Sequence, residues 1–185
     1  MDPTAFVARM RDHYVEQFAA FADDQRRGCT QGASEVKLQL SETSEVFQRL
    51  YCVDFIKNDG GSEVVELQPA HVLSFDPIEG SINAASLSIE HLRCDDVVIY
   101  HDLATVPSGD LADWFRRWFD PDDGRHDEHE PLSNVIHSLL VQPNVLSIDF
   151  GTAPPEAFWE ILDLLAEAGA HAIRVSSSRA EATAA

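Results

Sequence analysis

The apolar residues of this chain change their spacing twice, and that change constrains the fold more than any single motif does. Over the first segment Phe6, Val7, Met10, Tyr14, Phe18 and Phe21 recur at three- and four-residue steps, with Arg9, Arg11, Asp12, Glu16 and Asp23 between them. This spacing collects the apolar side chains on one face of a helix. Asp2-Pro3 offers a cap and an N1 proline, and Arg26, Arg27 and Gly28 offer a stop. From residue 35 the period is two: Val36, Leu38 and Leu40 alternate with Glu35, Lys37 and Gln39, the pattern of a half-buried strand with the apolar residues inward.

Further strands are expected over 46–57, 63–75, 86–92 and 97–101. They are set off by the turn signals NDGG (58–61), DPIEG (76–80) and Asp95-Asp96, and Pro69 marks an edge or a bend. Residues 34–101 thus read as an antiparallel meander of about five strands. The helical period then returns in LADWFRRWF (111–119) and PLSNVIHSLLVQ (131–142). VLSIDF (145–150), a helix opened by Ala153-Pro154-Pro155 and closed by Gly169, and AIRVS (172–176) form a strand–helix–strand unit. The order predicts an α+β fold: an N-terminal helix, the meander, then an α-α-β-α-β part, arranged as one mixed sheet or two packed lobes. At 185 residues the chain suits a single domain over 1–178, or sub-lobes 1–104 and 110–178, with 179–185 as a flexible tail.

Charge narrows the function classes. Thirty-two acids against thirteen bases give a net charge of −19, and the excess runs along the whole chain. Such a field repels nucleic acid and anionic lipid and favours basic partners. Arg26-Arg27 and Arg116-Arg117 are too short to track a phosphate backbone. No apolar run reaches the ~18 residues that span a bilayer, so no membrane partner is expected. Nor does the N-terminus read as a signal peptide. Cys29, Cys52 and Cys94 form neither a CxxC pair nor a zinc-type set. The expected setting is the bacterial cytoplasm, with no cofactor.

Candidate chemistry is sparse. FDPDDGRHDEHEP (119–131) packs six carboxylates and two histidines into thirteen positions, but Gly124 falls one place early for a calcium loop and Pro131 stands where the last acid belongs. His126 and His129 are spaced i, i+3 in a stretch without apolar residues to hold them, so a mobile acidic linker is the expectation. Asp149 ends a strand before a βα turn, where α/β units often place ligand-binding groups. His71 and His91 share strand faces with apolar residues, and His101-Asp102 closes another strand.

The densest apolar feature is the quartet Trp114, Phe115, Trp118 and Phe119 on the short helix. It is either a plug on the sheet or an anchor for a partner or for a second copy in a homodimer. No P-loop, G-x-S-x-G, H-E-x-x-H or Rossmann fingerprint is present. The leading expectation is a non-enzymatic protein-binding or regulatory module, inhibitor- or immunity-like, for a basic partner. The rival is a small-ligand or metal-dependent enzyme using His71, His91, His101, Asp102 and Asp149 between the meander and the C-terminal unit.

Overall fold

The structure, a computed structural model, describes residues 2–125, 127 and 129–179. Helix α1 (Pro3–Arg27) starts where expected: the Asp2 carboxylate accepts the Thr4 amide at 3.0 Å, and Pro3 loses no hydrogen bond by lying in the first turn. Its buried stripe is Phe6, Val7, Met10, Tyr14, Phe18 and Ala22.

Strands β1 (Gly32–Gln39), β2 (Leu50–Lys57) and β3 (Glu63–Val65) form a three-stranded antiparallel sheet. A second sheet takes β4 (Ile78–Ile82), β5 (Ala85–Ile89), β6 (Val97–His101), β7 (Ser138–Gln142), β8 (Val145–Asp149) and β9 (Ala172–Ser176), in the order β4-β5-β9-β6-β8-β7. Among the described strands only β5 and β9 pair in parallel. Helices α2 (Ser108–Phe119) and α3 (Pro155–Glu167) pack on each other, and α1 packs on α3, β1 and β2.

The α+β class, the N-terminal helix and the parallel relation of β8 to β9 agree with the sequence pattern. Four details differ. The expected meander divides between the two sheets, and β9 inserts between β5 and β6. DPIEG is not a free turn, because Ile78–Ile82 pairs with β5 through a tight turn at Asn83 (φ 50°).

The expected strand 63–75 ends at Val65. Beyond it Pro69 has no amide to offer, and the amides of Leu67 and His71 go to the side chains of Asp54 and Gln17. Finally, 131–142 is not a helix. Asn134 adopts φ 56°, the Ile136 amide goes to the Trp118 carbonyl, and the chain becomes strand β7. A short apolar run fits either period, and here tertiary partners decide.

One contiguous core joins these parts, from Phe18 of α1 through Ile99 and Leu146 of the second sheet to Phe115 and Ile161 of the helices. The two sheets meet where residue 137 lies between β2 and β8. There the Cys52 amide donates to the His137 carbonyl and the His137 amide to the Asp149 carbonyl, both at 2.8 Å.

Candidate functional site

The sheet junction carries the most unusual chemistry in the molecule. Glu35 and Asp54 face each other across β1 and β2, at the rung between Ser34–Phe55 and Val36–Val53. Two carboxylates at one rung repel, and the ladder is distorted there, with Glu35 at φ 51°. The fully buried His137 ring lies between them. Its Nε2 is 3.3 Å from Glu35 Oε1, and its Nδ1 is 2.9 Å from Asp54 Oδ1. The second is a charge contact whose N–H is not aligned for a hydrogen bond.

The remaining acceptors are also used. Glu35 accepts from the Ser133 amide at 2.6 Å and from the Thr152 hydroxyl. Asp54 Oδ2 accepts from the Leu67 amide at 2.7 Å. Gly151 (φ +48°) backs the ring so closely that a Cβ there would sit 2.2 Å from His137 Cδ2.

Burial works against charge at all three groups, and mutual attraction overcomes it. Burial disfavours the Glu35 carboxylate, but the bond and charge of His137, with Ser133 and Thr152, bring it below its ordinary range. Asp54 is held down in the same way, by His137, the Leu67 amide and Glu66. His137 is disfavoured as an imidazolium by burial, yet ends well above its ordinary value, held there by Cys52, Asp54, Glu35 and Asp149. The Cys52 thiol is itself pushed up to about 12 by burial, so at neutral pH the carboxylates alone hold the charge.

Two further carboxyls surround this centre and go the other way. Asp149, which accepts the Gly151 amide at 2.8 Å, is raised to about 7 by burial, against the pull of His137 and with the push of Asp54. Glu66, which accepts the Tyr51 hydroxyl at 3.3 Å, is raised to about 7 by burial and by the Asp54 charge. With its ring sealed in, the centre offers His137 to no substrate; it fastens the two sheets together.

Of the residues singled out by sequence, only Asp149 belongs to this centre. His71 and His91 are exposed. His101 is buried on the core side of β6 with neither ring nitrogen partnered, and burial lowers its pKa. Asp102 instead accepts the His171 amide at 2.9 Å. His129 is exposed, and His126 and residues 180–185 lie outside the described residues. Among the described residues no three His, Cys, Asp or Glu side chains are placed to hold a metal ion, and no helix is long and apolar enough to cross a membrane.

The expected linker is pinned at its start. Asp120 accepts the amides of Gly124 and Arg125, and Lys37 reaches Asp120 and Asp123. Trp114, Phe115, Trp118 and Phe119 are all in the core: Phe115 stacks on Phe119 at 5.0 Å, and the Trp114 indole donates to the Ala157 carbonyl at 3.1 Å. These rings form a plug in the core rather than an exposed aromatic patch.

Sequence reasoning passed over Glu35, Asp54 and His137. One signal was there: Asp54 sits inside the apolar run CVDFI, and a charge in a buried strand needs a partner.

Elsewhere a groove of about 780 Å³ opens between α2 and α3. Its walls carry Asp110, Asp113, Glu160, Asp163 and Glu167 against a single cation, Arg117, which pairs with Glu160 at 3.1 Å. Pro107, Leu164, Ala168 and the edge of Trp114 supply an apolar lining. Comparison with family models, with curated proteins and with solved structures finds no match to this chain.

Proposed function

We propose that this protein is a non-enzymatic binding module, inhibitor- or immunity-like, that takes a basic segment of another protein in the groove between α2 and α3. The observation that carries the reading is the pairing of an apolar lining with five carboxylates and one already neutralised arginine. A lysine- or arginine-bearing segment could lay its aliphatic stems on Leu164 and Trp114 and its charges on the walls. The whole-molecule charge of −19 would speed the encounter and would repel nucleic acid. Three free thiols suit a reducing cytoplasm.

The test compares two variants of equal charge. One carries Asp113→Asn, Asp163→Asn and Glu167→Gln in the groove. The other carries Glu42→Gln, Glu45→Gln and Glu63→Gln on exposed sites elsewhere. Binding of an oligo-arginine peptide, read by calorimetry at low and moderate salt, should weaken about tenfold or more in the groove variant, and by much less in the other. Equal weakening in both would reduce the effect to net charge and remove the groove reading.

A further inference from the structure

Among the described residues Arg117 is the one cation lining the groove. It leaves α2 and crosses to α3, where its Nη1 lies 3.1 Å from Glu160 Oε1. The other oxygen of that carboxylate, Oε2, accepts the Trp118 indole N–H at 2.8 Å. The Arg117 Cζ also stands 5.0 Å from the centre of the Trp118 ring. A carboxylate beside an aromatic face suits a guanidinium in particular, because the planar cation stacks and donates at once. The indole bond orients the Glu160 carboxylate without help from Arg117.

We propose that Trp118 and Glu160 form an arginine subsite of the groove, filled in the free protein by Arg117 as an internal stand-in. An arginine of the basic partner takes the subsite and Arg117 gives way. The assignment rests on the groove reading above, and adds to it the residue type the partner brings and the contact it displaces.

The exchange is cheap because Arg117 is weakly held. Its side chain is 63% exposed and that of Glu160 36%, and an ion pair so placed holds its partners by little. A second acid is within its reach. Asp113 lies one turn earlier on α2, at the i−4 position, and lines the same groove. Arg117 can swing back to Asp113 and stay paired while the incoming guanidinium takes Glu160. Arg125 has a different task. It meets the Trp118 ring at 5.5 Å, but its Nη2 donates to the Trp118 carbonyl at 3.3 Å and its Nε lies 3.8 Å from Asp120. It serves the loop after α2, outside the groove lining.

The stand-in couples Arg117 to Glu160 in a way that plain charge attraction does not. With Arg117 present, Glu160→Gln removes the subsite together with the hold of its competitor, so binding of an oligo-arginine peptide should change less than about twofold. In Arg117→Gln the same substitution removes an open subsite and should weaken binding about threefold or more. Arg117→Gln alone should tighten the arginine peptide by up to about fivefold, the most that an exposed ion pair holds back. An oligo-lysine peptide of equal length should gain clearly less, because an ammonium neither stacks nor forks as a guanidinium does. Glutamine at 160 keeps an acceptor for the Trp118 indole, and neither substituted side chain lies in the core.

Calorimetric titration of wild type, both single variants and the double variant with each peptide gives the result. Equal effects of Glu160→Gln in the two backgrounds, or equal gains for the two peptides in Arg117→Gln, would overturn the subsite. The groove itself survives either outcome as long as its carboxylate variant binds weakly. Peptide binding that ignores the groove carboxylates would instead remove the groove reading, and the subsite with it.

Discussion

Single residues at the sheet junction do what no element could do alone. His137 supplies the one charge that lets Glu35 and Asp54 share a rung, and Gly151 supplies the space for the ring. A buried ion set of this kind is weak evidence for stability, since the desolvation cost is large. Breaking it is another matter, because the survivors are left charged and unpaired. The sharpest probe is the glycine, where an added methyl meets the imidazole and also suffers the left-handed backbone. Gly151→Ala should lower the unfolding free energy by about 2–4 kcal/mol in urea titrations, and a change near zero would mean that the ring is not confined there.

At the scale of elements, α2 shows how a strongly one-sided helix is spent. Its aromatic face closes the core and its polar face, with Asp110, Asp113 and Arg117, forms one wall of the groove. Phe115→Ala, which removes a fully buried ring from contact with Phe47 and Phe119, should cost about 3–5 kcal/mol. Arg116→Ala on the exposed side should fall within about 0.5 kcal/mol of wild type. Thermal or chemical unfolding of the pair checks this; equal effects would contradict the burial of the aromatic face.

Across the whole molecule the raised carboxyls and His137 set the direction, against the lowered His101, whose neutral folded form gains stability as pH rises toward its ordinary value of 6.5. Asp149 and Glu66 hold protons to about 7 when folded and only to their ordinary values of 3.8 and 4.5 when unfolded, so stability falls as pH rises between those limits. His137 is raised, so its contribution is complete below its ordinary value of 6.5 and fades as pH climbs toward its folded value. Glu35 and Asp54 are lowered, so theirs is complete above their ordinary values and is lost as pH falls through the folded ones. The growing negative charge adds self-repulsion in the alkaline direction. The melting temperature should therefore be higher at pH 5.5 than at pH 8, by roughly 5 °C or more. Asp149→Asn, which keeps an acceptor for Gly151, should remove much of the difference. Calorimetry that placed the maximum at or above pH 7 would contradict this assignment.

Local chemistry in the sequence was enough to determine α1 with its caps, the aromatic face of α2, α3 with its proline start, the β8–α3–β9 unit and the acidic surface. Each rests on periodicity or composition within a dozen residues, which the chain carries wherever it folds. Tertiary structure alone decided the rest. Parity read Glu35 as solvent-facing, but it is buried because His137, 102 positions away, waits for it. The 131–142 run could have been a helix; backbone partners in Trp118, Cys52 and Asp149 drew it into the gap between two sheets instead. The insertion of β9 between β5 and β6 likewise depends on pairings across the chain. Contacts over such separations leave no periodic trace, so only the folded molecule shows that its charged centre lies at the junction and its acidic groove between two helices.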